Sequence, residues 1–187
     1  MPESSHLLIR HPATPAPMVR AIEAGVFLAG GHVVFRYVLR GDMARVRIPA
    51  ERLPERGDSL WEQTCFEAFA GLEGDSGYRE FNFSPSGRWA VYDFGDYRRR
   101  LPDPEVAAPR IAARATEGRL ELEAIAPLSS LPPALSGAAW EIGLSAVVET
   151  TDAVDGGRSY WALRHSSPRP DFHLRDSFAL RLPAFPE

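Results

Sequence analysis

A chain of 187 residues with 21 basic and 25 acidic side chains carries a net charge of −4, which excludes the strongly basic footprint of a nucleic-acid binder. Every one of the 21 basic residues is arginine, so chemistry that needs a lysine (a P-loop, a Schiff base, a Ser-Lys dyad) is excluded. The single cysteine, Cys65, excludes an internal disulfide scaffold, and a chain of this length buries roughly 70% of its unfolded surface without one.

Met1–Val19 has no basic segment leading into an apolar core and is interrupted by prolines, so no secretory signal is expected. Ala21–Leu39 is the most apolar early run, but Glu23, His32 and Arg36 break it, and no transmembrane helix is expected. The expected compartment is therefore the cytoplasm, with no membrane and no nucleic-acid partner; the oligomeric state is left open.

Seventeen prolines and fifteen glycines cut the chain into short segments that alternate apolar and polar residues, the pattern of an all-β protein. Strands are predicted at about Leu7–Arg10, Val19–Leu28, His32–Leu39, Arg45–Ile48, Trp61–Phe69 and Tyr78–Ser84. Further strands are predicted at about Arg88–Phe94, Arg110–Thr116, Arg119–Ala126, Ala139–Glu149, Ser159–Arg164 and Ser177–Leu182. Turns are marked by Gly30-Gly31, Gly41-Asp42, Ser86-Gly87, Glu117-Gly118 and Asp155-Gly156-Gly157. No segment sustains a 3.6-residue period. Pro49–Arg56 and Leu128–Leu135 are the best helical candidates, the second for one turn at most. Leu101–Pro109 is the only candidate linker, and strands on both sides of it argue for one domain over 1–187.

Alternation also assigns faces. Trp140, Ile142, Leu144, Ala146 and Val148 share an apolar face, while Glu141, Gly143, Ser145 and Val147 share the other. Phe81 and Phe83 oppose Tyr78, Glu80, Asn82 and Ser84. Phe66 and Ala68 oppose Trp61, Gln63, Cys65, Glu67 and Phe69. Each strand thus offers one greasy face and one mixed face of carboxylates, amides, hydroxyls and aromatics. A sugar needs such a mixed face, because its polar rim seeks acceptors and amides while its C–H face stacks on aromatics. A solvated sheet surface carries the same residue types.

Several constellations carry candidate chemistry. His165, Asp171, His173 and Asp176 lie in one Pro-rich stretch and could ligate Zn²⁺ or another divalent ion, although their spacing matches no closed metal motif. Cys65 with a histidine and Asp171 could build a thiol nucleophile, but Cys65 is mid-strand with no helix N-terminus to lower its pKa. Glu67 and Glu80 flank a hairpin loop. With a symmetric register Glu67 falls opposite Asn82, and paired carboxylates could do glycosidic acid–base work. Trp61, Trp89, Tyr92 and the Tyr160-Trp161 pair are the candidate stacking aromatics; only one of Tyr160 and Trp161 can point into the core. Arg98-Arg99-Arg100 reads as a solvated loop or an anion contact.

The segments LWEQTCFEAF and YREFNFSPSGRWAVYDF, with the later WEIGLSAVVE, GRSYWALRH and PDFHLRDSF, resemble the DOMON-like domains related to family 9 carbohydrate-binding modules, over roughly Leu60–Leu182. The resemblance implies an antiparallel β-sandwich of jelly-roll type with a ligand pocket on the concave face. Relatives bind sugars or haem. Haem-binding members use Met and His ligands, and here Met18 and Met43 lie outside the matched part, so no haem and no other cofactor is expected. By motif position, Trp61, Glu67, Asn82 and Trp161 correspond to residues that hold sugar.

These readings lead to one expectation: non-catalytic binding of a small carbohydrate or sugar-derived metabolite. Trp161 or Trp89 would stack on the ligand, Glu67, Asn82 and Ser145 would bond its hydroxyls, and His165, Asp171 and His173 would close the pocket from a loop. The alternatives are a metal-dependent hydrolase or isomerase built on the His/Asp loop, and an interaction module that uses an exposed sheet edge.

Overall fold

A computed structural model describes residues 5–135, 138–151 and 157–184. In chain order its strands are β1 (His6–Leu7), β2 (Ile9–Arg10), β3 (Val19–Ala29), β4 (His32–Gly41), β5 (Cys65–Leu72), β6 (Tyr78–Phe83) and β7 (Trp89–Asp96). These are followed by β8 (Arg99–Arg100), β9 (Arg110–Thr116), β10 (Arg119–Pro127), β11 (Ala139–Glu149), β12 (Arg158–Ala162) and β13 (Leu180–Pro183). Two sheets form. The five-stranded sheet has the order β1-β3-β4-β10-β9; the eight-stranded sheet has the order β2-β12-β11-β5-β6-β7-β8, with β13 paired to the other half of β11. All pairs of these strands are antiparallel, so the molecule is an antiparallel β-sandwich.

Turn chemistry fixes several joints. Gly30 and Gly31 have φ of 55° and 75°, and Ala29 pairs directly with His32. A two-residue hairpin of this kind needs positive φ at both central positions, which glycine adopts without strain. Thr116 pairs with Arg119 across the Glu117-Gly118 turn. Of the turn at Asp155-Gly156-Gly157, residues 155 and 156 lie outside the described residues.

The structure revises some boundaries. Leu7–Arg10 is two short strands in different sheets, because buried Leu8 sits between them and its N–H bonds Ile22 on the small sheet. Arg45–Ile48 is not a strand; a single 3₁₀ turn at Met43–Arg45 leads to a lone bridge between Val46 and Thr150. Pro49–Arg56 is irregular rather than helical, with prolines at 49 and 54. Strand β5 starts at Cys65, since Leu60–Glu62 forms a 3₁₀ turn. Strand β8 was not predicted.

The main core lies between the sheets. Ile22, Phe35, Tyr37, Leu39, Leu120 and Leu122 from the small sheet meet Phe66, Phe81, Phe83, Leu144, Ala146 and Trp161 from the large one. Phe35 lies 5.3 Å from Phe83 and Tyr37 lies 4.9 Å from Phe66, ring to ring. The buried Tyr37 hydroxyl donates to the Glu67 backbone carbonyl at 2.6 Å, tying β4 to the middle of β5.

The two sheets differ on their outer faces. On β10 burial alternates, with Leu120, Leu122, Ala124 and Ala126 inward and charged residues such as Glu121 and Glu123 outward. On β6 every residue is buried. A strand buried on both faces has a second cover, and here it is a second apolar cluster that includes Phe69, Tyr78, Tyr92, Phe94, Phe172 and Phe178. The large sheet therefore faces the core on one side and a roof of loops on the other.

A candidate ligand-binding cleft on the outer face of the large sheet

Three segments make that roof: the Leu60–Glu62 turn, the loop that enters β8, and the C-terminal segment before β13. The last is pinned at one end by packing. Phe178 lies 5.6 Å from both Phe69 and Tyr78, and a Cβ on Gly143 would come within 2.9 Å of its ring. Arg175 donates to the Leu72 carbonyl at 2.8 Å and to the Glu141 carboxylate. It occupies the space that a Cβ on Gly71 would need.

Between roof and sheet lies a cleft of about 370 Å³, within the roughly 300–1,000 Å³ of small-molecule sites. Its floor is set by register. Glu67 pairs with Asn82 on one side and Ser145 on the other; Glu80 pairs with Tyr92, and Val147 with Tyr160. Two carboxylates on neighbouring strands thus face one space. Trp61, Tyr92, Phe94, Tyr160 and Phe172 supply aromatic walls, and Arg98, Arg100, Asp171 and His173 complete the rim.

Glu80 accepts from the Asn82 amide at 2.7 Å. Its other oxygen lies 3.8 Å from His173 Nε2. Tyr78 sets the tautomer. Its hydroxyl accepts the Arg98 N–H at 3.1 Å, which leaves its own proton for His173 Nδ1 at 2.8 Å. The ring proton of His173 then sits on Nε2, toward Glu80. Burial, with Arg98 nearby, pushes His173 down to about 4, so the ring is neutral at neutral pH.

Burial pushes Glu67 well above the usual carboxylate range, and the neighbouring Glu80 adds to the rise. Burial also raises Glu80, but Asn82 and the two arginines hold it lower. The pair therefore keeps a shared proton to higher pH than an isolated carboxyl would. Glu67 is 3% exposed and accepts no hydrogen bond of normal geometry. The Ser145 hydroxyl beside it is near enough to lower its pKa a little, yet it falls short of hydrogen-bond geometry and is itself unpartnered.

The rim charges are already engaged. Asp171 accepts from Tyr97 Oη at 2.5 Å, from Arg98 at 3.0 Å and from the His173 N–H at 3.0 Å. Arg100 bonds Asp103 at 2.8 Å and stacks 4.1 Å above the Tyr92 ring. Tyr92 donates to Asp58 at 2.9 Å. Among the described residues, two non-glycine residues have left-handed backbone, Ser59 (φ 56°) and Arg98 (φ 51°). One precedes the Trp61 turn and the other stands on the rim, so local strain concentrates around this cleft.

The sequence candidates divide. Trp61, Glu67, Asp171 and His173 line the cleft. Asn82 and Ser145 lie in the floor, fully buried against Glu80 and Glu67. Trp89 and Trp161 do not reach it; both belong to the core between the sheets. Register is the reason. Trp161 pairs with Ala146, whose parity is that of Leu144 and Val148, so Tyr160 takes the outer face. Trp89 pairs with Phe83 in the same way.

The proposed metal quartet also separates. His165 bonds the Ile9 carbonyl at 2.8 Å and packs edge-on against His11 at 4.8 Å, while Asp176 is exposed. Among the described residues no three His, Cys, Asp or Glu side chains gather as metal ligands. Cys65 is fully buried, and burial with the two glutamates pushes its thiol pKa up, the opposite of an activated nucleophile. Sequence reasoning missed Phe94, Arg98, Arg100 and Phe172 as cleft residues. Only the Arg98-Arg99-Arg100 run carried a signal.

A larger hollow of about 600 Å³ lies beside Pro132 and Trp140. Two of its polar groups are committed: Arg79 forks onto Asp93 at 2.6 and 2.7 Å and bonds the Ser130 carbonyl, and the Trp140 indole bonds the Pro132 carbonyl. The smaller cleft is the chemically open one. Among the described residues no helix is long and apolar enough to cross a membrane.

No family model matches the chain, and no curated protein sequence matches it. Among solved structures the fold is similar to that of a "putative carbohydrate-binding protein" from Bacteroides uniformis ATCC 8492. The TM-score is 0.70 at 18% identity, over 97% of this chain and 86% of the other. At that identity the likeness establishes a shared β-sandwich fold.

Proposed function

We propose that this protein binds a small carbohydrate or sugar-derived metabolite, without turnover, in the cleft on the outer face of the large sheet. One observation carries the reading: a pair of carboxylates, Glu67 and Glu80, faces the cleft under aromatic walls, backed by the buried Asn82 amide and Ser145 hydroxyl. Sugar hydroxyls need acceptors and donors at fixed positions, and the ring's C–H face needs an aromatic edge. Trp61, which is 38% exposed and lies edge-on to Tyr92 at 6.1 Å, is the wall free to meet a ligand. The similar fold of a protein described as carbohydrate-binding supports the reading, as does the motif resemblance to DOMON-like, jelly-roll domains.

The test is thermal unfolding against monosaccharides, amino sugars, sugar nucleotides and divalent ions. A ligand at 100 times its Kd stabilises by about 2.7 kcal/mol, a shift of roughly 5–11 °C for a chain of this size. A shift with a sugar that Trp61→Ala abolishes supports the reading. A shift confined to a transition metal sinks it.

A further inference from the structure

We infer that the sugar carries a primary amine, and that its ammonium sits between the carboxyls of Glu67 and Glu80. The inference rests on the reading of the cleft as a sugar site and adds the ligand's charge.

The argument is one of unmet demand. Glu67 is 3% exposed, faces the cleft and accepts no hydrogen bond of normal geometry from the described residues; the buried Ser145 hydroxyl lies behind it, outside the cleft lining. Glu80 has Asn82 on one oxygen and only a 3.8 Å approach from His173 on the other. The guanidiniums are spoken for, Arg98 by Asp171 and Arg100 by Asp103. An anionic sugar would meet carboxylates on the floor, and the two arginines of the rim are each already paired with an aspartate. A neutral sugar leaves the two glutamates crowded, with a proton between them. An ammonium brings three N–H donors, enough for both carboxyls, and its charge lets both glutamates ionise. Aromatic walls favour a cation as well.

Proton balance follows. The amine enters as RNH₃⁺ and keeps its protons; the proton held by the glutamate pair goes to solvent. The other charged or titratable groups facing Glu67 do not supply it. From the roof, Arg98 and Asp171 stay ionised and His173 stays neutral; on β5 itself, burial holds the Cys65 thiol protonated. The Tyr78 and Tyr92 phenols keep their protons, since both are pushed up.

The experiment is isothermal titration calorimetry at pH 6.5 with matched trios: glucosamine, glucose and N-acetylglucosamine, then the galactose and mannose series. Each is run in two buffers of different ionisation enthalpy. One amine should bind about tenfold or more tightly than its hydroxyl and acetylated counterparts, the gain expected of a charge-assisted bond, and should release up to one proton. Glu67→Gln should bring amine and hydroxyl forms within about threefold of each other, and Glu80→Gln should narrow the gap independently should the first variant fold poorly. A hydroxyl sugar that binds as tightly as its amine, with no proton released, overturns the inference and leaves the sugar reading intact. A ringless alkylamine that binds as well as the amino sugar also overturns it. Binding by none of these sugars overturns both.

Discussion

Trp161→Ala separates the core of this protein from its binding site. Trp161 is 5% exposed between the sheets, and its indole N–H donates to Ser159 Oγ at 2.9 Å. Truncation removes a large apolar side chain from a close-packed layer and strips Ser159 of that bond. Cavity-forming Trp→Ala changes cost about 3–5 kcal/mol. For a chain of this size each kcal/mol moves Tm by about 2–4 °C, so Tm should fall by roughly 6–20 °C. Affinity for a cleft ligand, measured by calorimetry below the new Tm, should stay within about threefold of wild type, because the indole faces away from the cleft. Trp61→Ala should do the reverse, with affinity lost and Tm moved by only a degree or two, as for a half-exposed surface residue. Loss of affinity in Trp161→Ala at an unchanged Tm would refute the face assignment.

Glu67→Gln should stabilise the free protein in a pH-dependent way. A carboxyl whose folded pKa is raised costs nothing below its unfolded value of about 4.5 and costs progressively more up to its folded value. The gain over wild type should be near zero at pH 4 and grow toward pH 8 in urea titrations; a pH-independent difference would contradict it. His173 acts with the opposite sign. Its pKa drops from 6.5 to about 4, so stability is lost as pH falls through that window, by about 3 kcal/mol in full. Its ring NMR signals should stay those of a neutral imidazole from pH 8 to 6, whereas titration near pH 6.5 would count against its burial. Gly71→Ala should dislodge Arg175 from Leu72 and Glu141 and loosen the roof. Faster tryptic cleavage at Arg164 or Arg175 is the expected readout, and an unchanged rate would show that Arg175 does not hold the segment.

Much of the fold was legible because alternation and turn chemistry are local. Gly30-Gly31 and Glu117-Gly118 stand at two-residue hairpins, and the symmetric register that pairs Glu67 with Asn82 follows from the length of the β5–β6 connection. The parity of Trp161 was not legible. It depends on how β12 docks on β11 across a connection of which residues 152–156 lie outside the described part, and a slip of one residue would exchange Tyr160 and Trp161. The roof was no more visible. Phe172 and His173 reach the cleft through contacts with Tyr160 and Tyr78 on strands far away in sequence, and Arg98 does so through a left-handed residue beside a register shift in the β7–β8 pair. Alternation within one strand carries no information on such contacts. It did carry the clue that β5 and β6 have mixed second faces, which proved to be the floor.

The most direct measurement is a crystal structure of the protein soaked with whichever sugar raises its Tm. The account predicts the sugar ring above β5 and β6, with a polar atom within hydrogen-bond distance of Glu67 and a face or edge against Trp61. A ring seated elsewhere, for example in the hollow by Trp140 and Pro132, with Glu67 and Trp61 untouched, would contradict it.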